Sequence, residues 1–104
     1  MTVVPVAGAH SFVTTGGTAV IAASANPSGY NGGYIVNPLL AADQGIGTAE
    51  PLILDPTGVS PGLNANGTAI ALQPGQSWNL IPGQVTATYV NAATSNHKFT
   101  AVVY

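Results

Sequence analysis

The chain has 104 residues, of which only Asp43, Glu50, Asp55 and Lys98 are charged, for a formal net charge of −2. A globular domain carries about 25% charged residues; this composition excludes the clustered lysine and arginine that nucleic acid or an anionic membrane surface demands. With no cysteine there are no disulfides, zinc-thiolate sites or cysteine nucleophiles.

Thirteen glycines and eight prolines imply many loops, yet 26 residues are Leu, Ile, Val or Phe. Disordered chains combine fewer bulky apolar residues with more charge, so a folded domain is expected. So few charges suit a subunit packed against neighbours better than a free monomer, whose surface normally carries charge at about a quarter to a third of its positions. A neutral extracellular module is the other reading of the same count.

In chain order, residues 1–17 stand apart as an apolar arm or edge strand, and residues 18–104 form the sandwich domain. The arm carries no strong turn signal before Gly8 and closes on the flexible pair Gly16-Gly17. Its strand, residues 2–6, is expected to pair with its own sheet or with a neighbour's open edge. Thr2, Val3, Val4, Pro5 and Val6 are therefore the candidate interface residues. Thr18 to Ala25 is the most apolar early run, but it is far shorter than the ~20 residues of a membrane span and no basic residue precedes it as in a signal peptide. The expectation is a chain that begins near Met1 and is made in a cytoplasm.

Further strands are predicted at Ser11 to Thr15, Ala19 to Ala23, Gly33 to Asn37, Pro51 to Asp55, Thr68 to Leu72 and Ser77 to Ile81. Between them lie turn signals: Asn26-Pro27-Ser28-Gly29, Asp55-Pro56-Thr57-Gly58, Pro61-Gly62, Asn66-Gly67, Pro74-Gly75 and Pro82-Gly83. Asn66-Gly67-Thr68 also matches a glycosylation sequon, but without a secretory route it reads as a turn. Leu39 to Gln44 can form one helical turn. From Gln84 to Tyr104 there is no Gly or Pro. Val85, Ala87 and Tyr89 alternate with threonines, and Phe99, Ala101 and Val103 alternate with Lys98, Thr100 and Val102, which predicts two strands around a polar loop from Asn91 to His97.

The sum is an all-β domain of about eight or nine short antiparallel strands, a small β-sandwich or jelly-roll-like barrel. The shared Pro-Gly-Gln of residues 74–76 and 82–84 predicts a closing meander of four strands. Leu72, Trp78, Leu80, Val85, Tyr89, Phe99 and Val103 are its expected core residues.

The inventory for chemistry is thin. His10 and His97 lie in the arm and in a polar loop, with no nucleophile elbow among the serines. A glycosidase pair would have to come from Asp43, Glu50 and Asp55, which sit among Gly and Pro and suit turn bonding; Asp55 before Pro56 fits the first position of a type I turn. Two histidines without i, i+2 or i, i+4 partners lack metal-ligand spacing. An oxygen-ligated calcium at Asp43 or Asp55 with carbonyls is the one cation site conceivable. Gly32-Gly33 and Gly45-Ile46-Gly47 lack the context of a phosphate loop. Tyr30, Tyr34 and Trp78 could form an aromatic platform for sugar rings, but Trp78 alternates with Leu80 and Tyr34 with Val36 as core residues do. No catalytic residue, cofactor or metal site is assigned, and a non-enzymatic role is expected.

The succession Gly-Gly-Tyr-Ile-Val-Asn-Pro (32–38), Ala-Asp-Gln-Gly-Ile (42–46), Ala-Glu-Pro-Leu-Ile-Leu-Asp-Pro (49–56), Asn-Gly-Thr (66–68), Leu-Gln-Pro-Gly-Gln-Ser (72–77) and the closing segment 90–104 resembles a small β-sandwich of tailed-bacteriophage virions, the capsid decoration or cement type. The resemblance covers roughly the last three quarters of the chain. It implies a non-enzymatic structural protein on the outer capsid surface, binding the major capsid protein between capsomers, often as a homotrimer. It transfers no functional residue. The alternative from another class is a carbohydrate-binding or adhesin-like module.

Overall fold

The computed structural model describes residues 11–13 and 15–104. The strand expected over residues 2–6, with the candidate contacts Thr2, Val3, Val4, Pro5 and Val6, lies outside the described residues, as does His10.

Eight strands are present among the described residues: β1 (Ser11–Val13), β2 (Val20–Ala23), β3 (Gly33–Val36), β4 (Leu52–Asp55), β5 (Ile70–Leu72), β6 (Ser77–Asn79), β7 (Thr88–Asn91) and β8 (His97–Val103). They form two open four-stranded antiparallel sheets, β1-β8-β3-β6 and β2-β7-β4-β5. The architecture is thus the sandwich and not the closed barrel. The single helical turn among the described residues, α1 (Ala41–Gln44), falls within the predicted segment and ends on Gly45 in the left-handed conformation, where glycine carries no steric penalty.

β8 follows its sequence pattern. His97, Phe99, Ala101 and Val103 are buried, while Lys98 is exposed and Thr100 and Val102 are half-buried on the other face. From the opposing sheet Leu52, Leu54, Leu72 and Val90 join the same cluster, which also takes in Val13, Ile35, Tyr30 and Leu80, with Val20 and Trp78 packed at its margin. Val90 pairs with both Val20 and Leu54, and Leu54 with Ile70, so a row of apolar residues crosses one side of the second sheet.

The opposite side of that sheet is also covered. Ile53 and Asn91 form a cross-strand pair, and both are buried. The segment 56–69 lies over them: Asn91 Nδ2 donates to the carbonyl of the buried Pro61 (3.0 Å) and to that of Gly17 (3.2 Å). β4 reads as a continuous buried run for this reason, although a half-solvated strand would alternate.

Four expectations are corrected. The closing meander does not form, because β5, β6, β7 and β8 alternate between the two sheets. Their turns are corners that bond to other segments and close no hairpin. In the 73–76 turn the Gly75 amide donates to the Asn37 carbonyl. In the 81–84 turn the Gly83 amide donates to the Tyr30 carbonyl. Secondly, β7 presents the opposite face from the one predicted. Thr88 and Val90 are buried, Tyr89 is half-buried and Val85 is 48% exposed in a loop. The strand begins three residues later than the alternation of 85, 87 and 89 suggests, and Gln84 Nε2 satisfies the Thr88 hydroxyl at 2.8 Å, which permits its burial.

Tyr34, thirdly, lies on the outer face of its sheet, because Ile35 takes the inward position opposite Trp78. Finally, Gly16-Gly17 is not a flexible joint. The Gly16 amide donates to Ser95 Oγ and the Gly17 amide to the Ala92 carbonyl, and a Cβ on Gly16 would fall 2.2 Å from the Ala93 oxygen. Glycine is required at 16 for close approach and at 17 for a left-handed φ of 84°.

Candidate functional site

The densest group of polar side chains stands where α1 and the lead into β4 meet the start of β8. Asn37, Gln44 and His97 are fully buried there, and Glu50 is half-buried. Asn37 Nδ2 donates to the carbonyls of Glu50 (3.0 Å) and Leu72 (2.9 Å). That fixes its amide orientation, so Oδ1 is the acceptor for Gln44 Nε2 (3.2 Å) and for His97 Nε2 at 2.8 Å. Neutral His97 therefore carries its proton on Nε2. Gln44 closes the ring: its Nε2 donates to the Pro38 and Glu50 carbonyls, and its Oε1 accepts the Glu50 amide at 2.9 Å.

The bare His97 Nδ1 faces Glu50 Oε1 at 3.9 Å, too far for a hydrogen bond. The other carboxylate oxygen accepts the amides of Ala93 (2.9 Å) and Thr94 (3.2 Å). The group thereby ties β3, α1, β4 and the 92–96 loop together. His97, expected in a polar loop, is an inward residue of β8.

Burial pushes the His97 imidazole below its ordinary value of 6.5, and the Glu50 carboxylate restores only part of the loss. In the unfolded chain the ring takes up a proton near 6.5, whereas in the folded chain it does so only at lower pH. Between those two values the unfolded state binds more protons, so stability rises with pH; it is complete above 6.5 and is lost as pH falls toward the folded value. Thermal melts should accordingly show a lower midpoint at about pH 5 than at about pH 7.5, a difference that His97→Gln should shrink. Equal midpoints for the parent protein would contradict this assignment.

Asp55 ends β4 and is also buried. Its Oδ1 accepts the Thr57 amide (2.9 Å) and the Thr57 hydroxyl, and its Oδ2 accepts the Thr68 hydroxyl at 2.8 Å. Burial raises the carboxyl's pKa, but these three donors outweigh it and hold the group below its ordinary 3.8. Asp55 fastens both ends of the 56–69 segment, which is the turn role its sequence position suggests. With its oxygens so engaged it is a poor cation ligand, and Asp43 stands exposed on α1. Among the described residues no three His, Asp or Glu side chains are grouped as a metal site.

The sugar-platform residues are dispersed. Tyr30 is buried with its hydroxyl donating to the Ser24 carbonyl (2.7 Å), Trp78 packs against the core and Tyr34 faces outward. A shallow cleft of about 430 Å³ runs along Pro56, Thr57 and residues 81–86. Its walls carry the exposed Ile81 and Val85 and no charged side chain. No helix among the described residues is long and apolar enough to cross a membrane.

No protein-family model, curated protein or solved structure matches the chain.

Proposed function

We propose that this protein is a non-enzymatic structural subunit of a bacteriophage virion that decorates and stabilises the capsid by binding the major capsid protein between capsomers. The observation that carries the reading is the distribution of charge. Glu50 is half-buried and Asp55 is buried, both engaged in hydrogen bonds, so Asp43 and Lys98 are the only exposed charged side chains among the described residues. Beside them stand Ile21, Leu39, Leu40, Val59, Ile81 and Val85, each about half or more exposed. Such a surface favours attachment through apolar area, worth about 25 cal/mol per Å², over ion pairs. The resemblance of residues 31–104 to decoration proteins points the same way and suggests a homotrimer on the outer surface of the shell, made in the host cytoplasm and acting without nucleic acid, membrane or cofactor. Residues 2–6 are the proposed contact segment.

Co-sedimentation with capsids lacking the protein tests this. Binding should stay nearly constant from about 0.1 M to 1 M salt, where exposed ion pairs are screened beyond about 3 Å. Val4→Asp, which would place a charge in an apolar contact, should weaken binding by at least about tenfold. Release by moderate salt would overturn the reading, and binding to glycans instead of capsids would establish the carbohydrate module.

A further inference from the structure

Two Asn-Gly pairs occur in the chain, at 31–32 and 66–67, and the fold treats them in opposite ways. This dipeptide is the one most prone to spontaneous loss of the side-chain amide, because glycine has no Cβ to hinder attack by its own backbone nitrogen. The reaction needs that nitrogen free, with room for the asparagine side chain to fold onto it.

At 31–32 neither condition holds. Gly32 is buried, its amide donates to the Tyr104 carbonyl at 3.2 Å, and the Asn31 amide donates to the same oxygen at 2.7 Å. The Tyr104 ring closes over the position, since a Cβ on Gly32 would lie 3.2 Å from its Cε2. At 66–67 both conditions hold. Asn66 and Gly67 are exposed, and nothing lies within 4 Å of the place where a Gly67 Cβ would be. Backbone bonds fix the turn from its flanks, with the Asn66 amide donating to the Asn64 carbonyl and the Ala69 amide to the Asn66 carbonyl, both at 3.0 Å. Among the described residues no hydrogen bond engages the Asn66 side chain or the Gly67 N–H.

We propose that Asn66 is a self-modification site, at which the free Gly67 nitrogen converts the side-chain amide to a carboxylate over the life of the protein, while Asn31 is held silent by the fold. The Gly67 nitrogen gives its proton to hydroxide and attacks Asn66 Cγ. The bond from Cγ to Nδ2 breaks as Nδ2 takes a proton from water, which regenerates the hydroxide; the nitrogen leaves as ammonia and a five-membered imide remains. Water opens the imide at either carbonyl, giving aspartate or the isoaspartyl form whose main chain runs through Cγ; nothing is oxidised or reduced.

Either product takes the formal net charge from −2 to −3, a large step for a chain with two exposed charges. It arises two residues before Thr68, whose hydroxyl donates to Asp55 and closes the 56–69 segment over the second sheet. The isoaspartyl form also inserts an extra backbone atom there.

The full-length protein is incubated at mildly alkaline pH and growth temperature, sampled over weeks, and mapped by peptide mass spectrometry for the mass gain of an amide becoming an acid, with isoaspartate detected enzymatically. In the native protein conversion at Asn66 should outrun that at Asn31 by at least about tenfold, because Asn31 must wait for local opening. In urea, where both pairs are unfolded, the two rates should converge. Equal native rates, a faster Asn31, or an Asn66 that reacts in urea but not in the native protein would each overturn the proposal.

Discussion

Phe99→Ala should lower the free energy of unfolding by about 3–5 kcal/mol, the usual cost of deleting a large aromatic from a packed core. Phe99 is 1% exposed, among the largest fully buried side chains, and sits on β8, the interior strand flanked by β1 and β3. The cavity would open between the sheets, within the cluster of buried apolar side chains that Phe99 belongs to. A domain of this size holds only about 5–15 kcal/mol in all, so the variant should be partly unfolded at physiological temperature. Denaturant titration measures the loss. Val102→Ala, on the outer face of the same strand, should cost much less, and equal losses for the two would mean that the inward face of β8 is misassigned.

Asn37→Ala should be nearly as damaging, for a different reason. It strands the Leu72 carbonyl and the His97 Nε2–H, and Glu50's carbonyl keeps only its bond from Gln44. A buried polar group left without its partner costs about 1–3 kcal/mol, so the expected loss is about 2–5 kcal/mol. Asn37→Leu, close in size but apolar, should not restore stability. Asn37→Asp should be worse than either, because it turns a carboxylate oxygen toward two carbonyl oxygens that now receive an N–H. Full stability in the aspartate variant by denaturant titration would show that the amide orientation is wrong.

Much of the fold is legible in the residues. Proline and glycine mark the corners, because fixed φ and positive φ are local properties, and β8 shows its faces because one side is core and the other solvent. β7 misleads for a physical reason. Threonine is a strand former whose hydroxyl can be buried once satisfied, so Thr88 inside and Tyr89 outside invert the pattern that hydrophobicity alone suggests. Pro74-Gly75 and Pro82-Gly83 announce reversals, but whether a reversal closes a hairpin or turns a corner depends on distant acceptors, the carbonyls of Asn37 and Tyr30.

The polar group around His97 was hidden for the same reason. Asn37, Gln44, Glu50 and His97 come from four separate segments and match no spacing motif. The available hints were an asparagine before Pro38 at a strand end and a glutamine within a single helical turn. Asn31-Gly32 and Asn66-Gly67 are identical as dipeptides, and only Tyr104 tells them apart.

The threading of the sheets governs how the chain must fold. Every link between successive strands except that from β4 to β5 passes from one sheet to the other, so almost no sheet partner is also a neighbour in sequence. β1 has β8 as its partner, with Val13 set against His97, and β3 needs the same strand on one side. During synthesis the first sheet therefore has no centre until β8 has been made. Apart from β4 with β5, each strand pairing must meet loop-closure entropy over a long stretch of chain, nearly all of it for β1 with β8, which places the domain among slow folders, on the millisecond-to-second scale. Nascent chains halted before residue 97 should expose unpaired edges of β1 and β3 and depend on chaperones, whereas a chain extended through Val103 closes the sheet as it emerges.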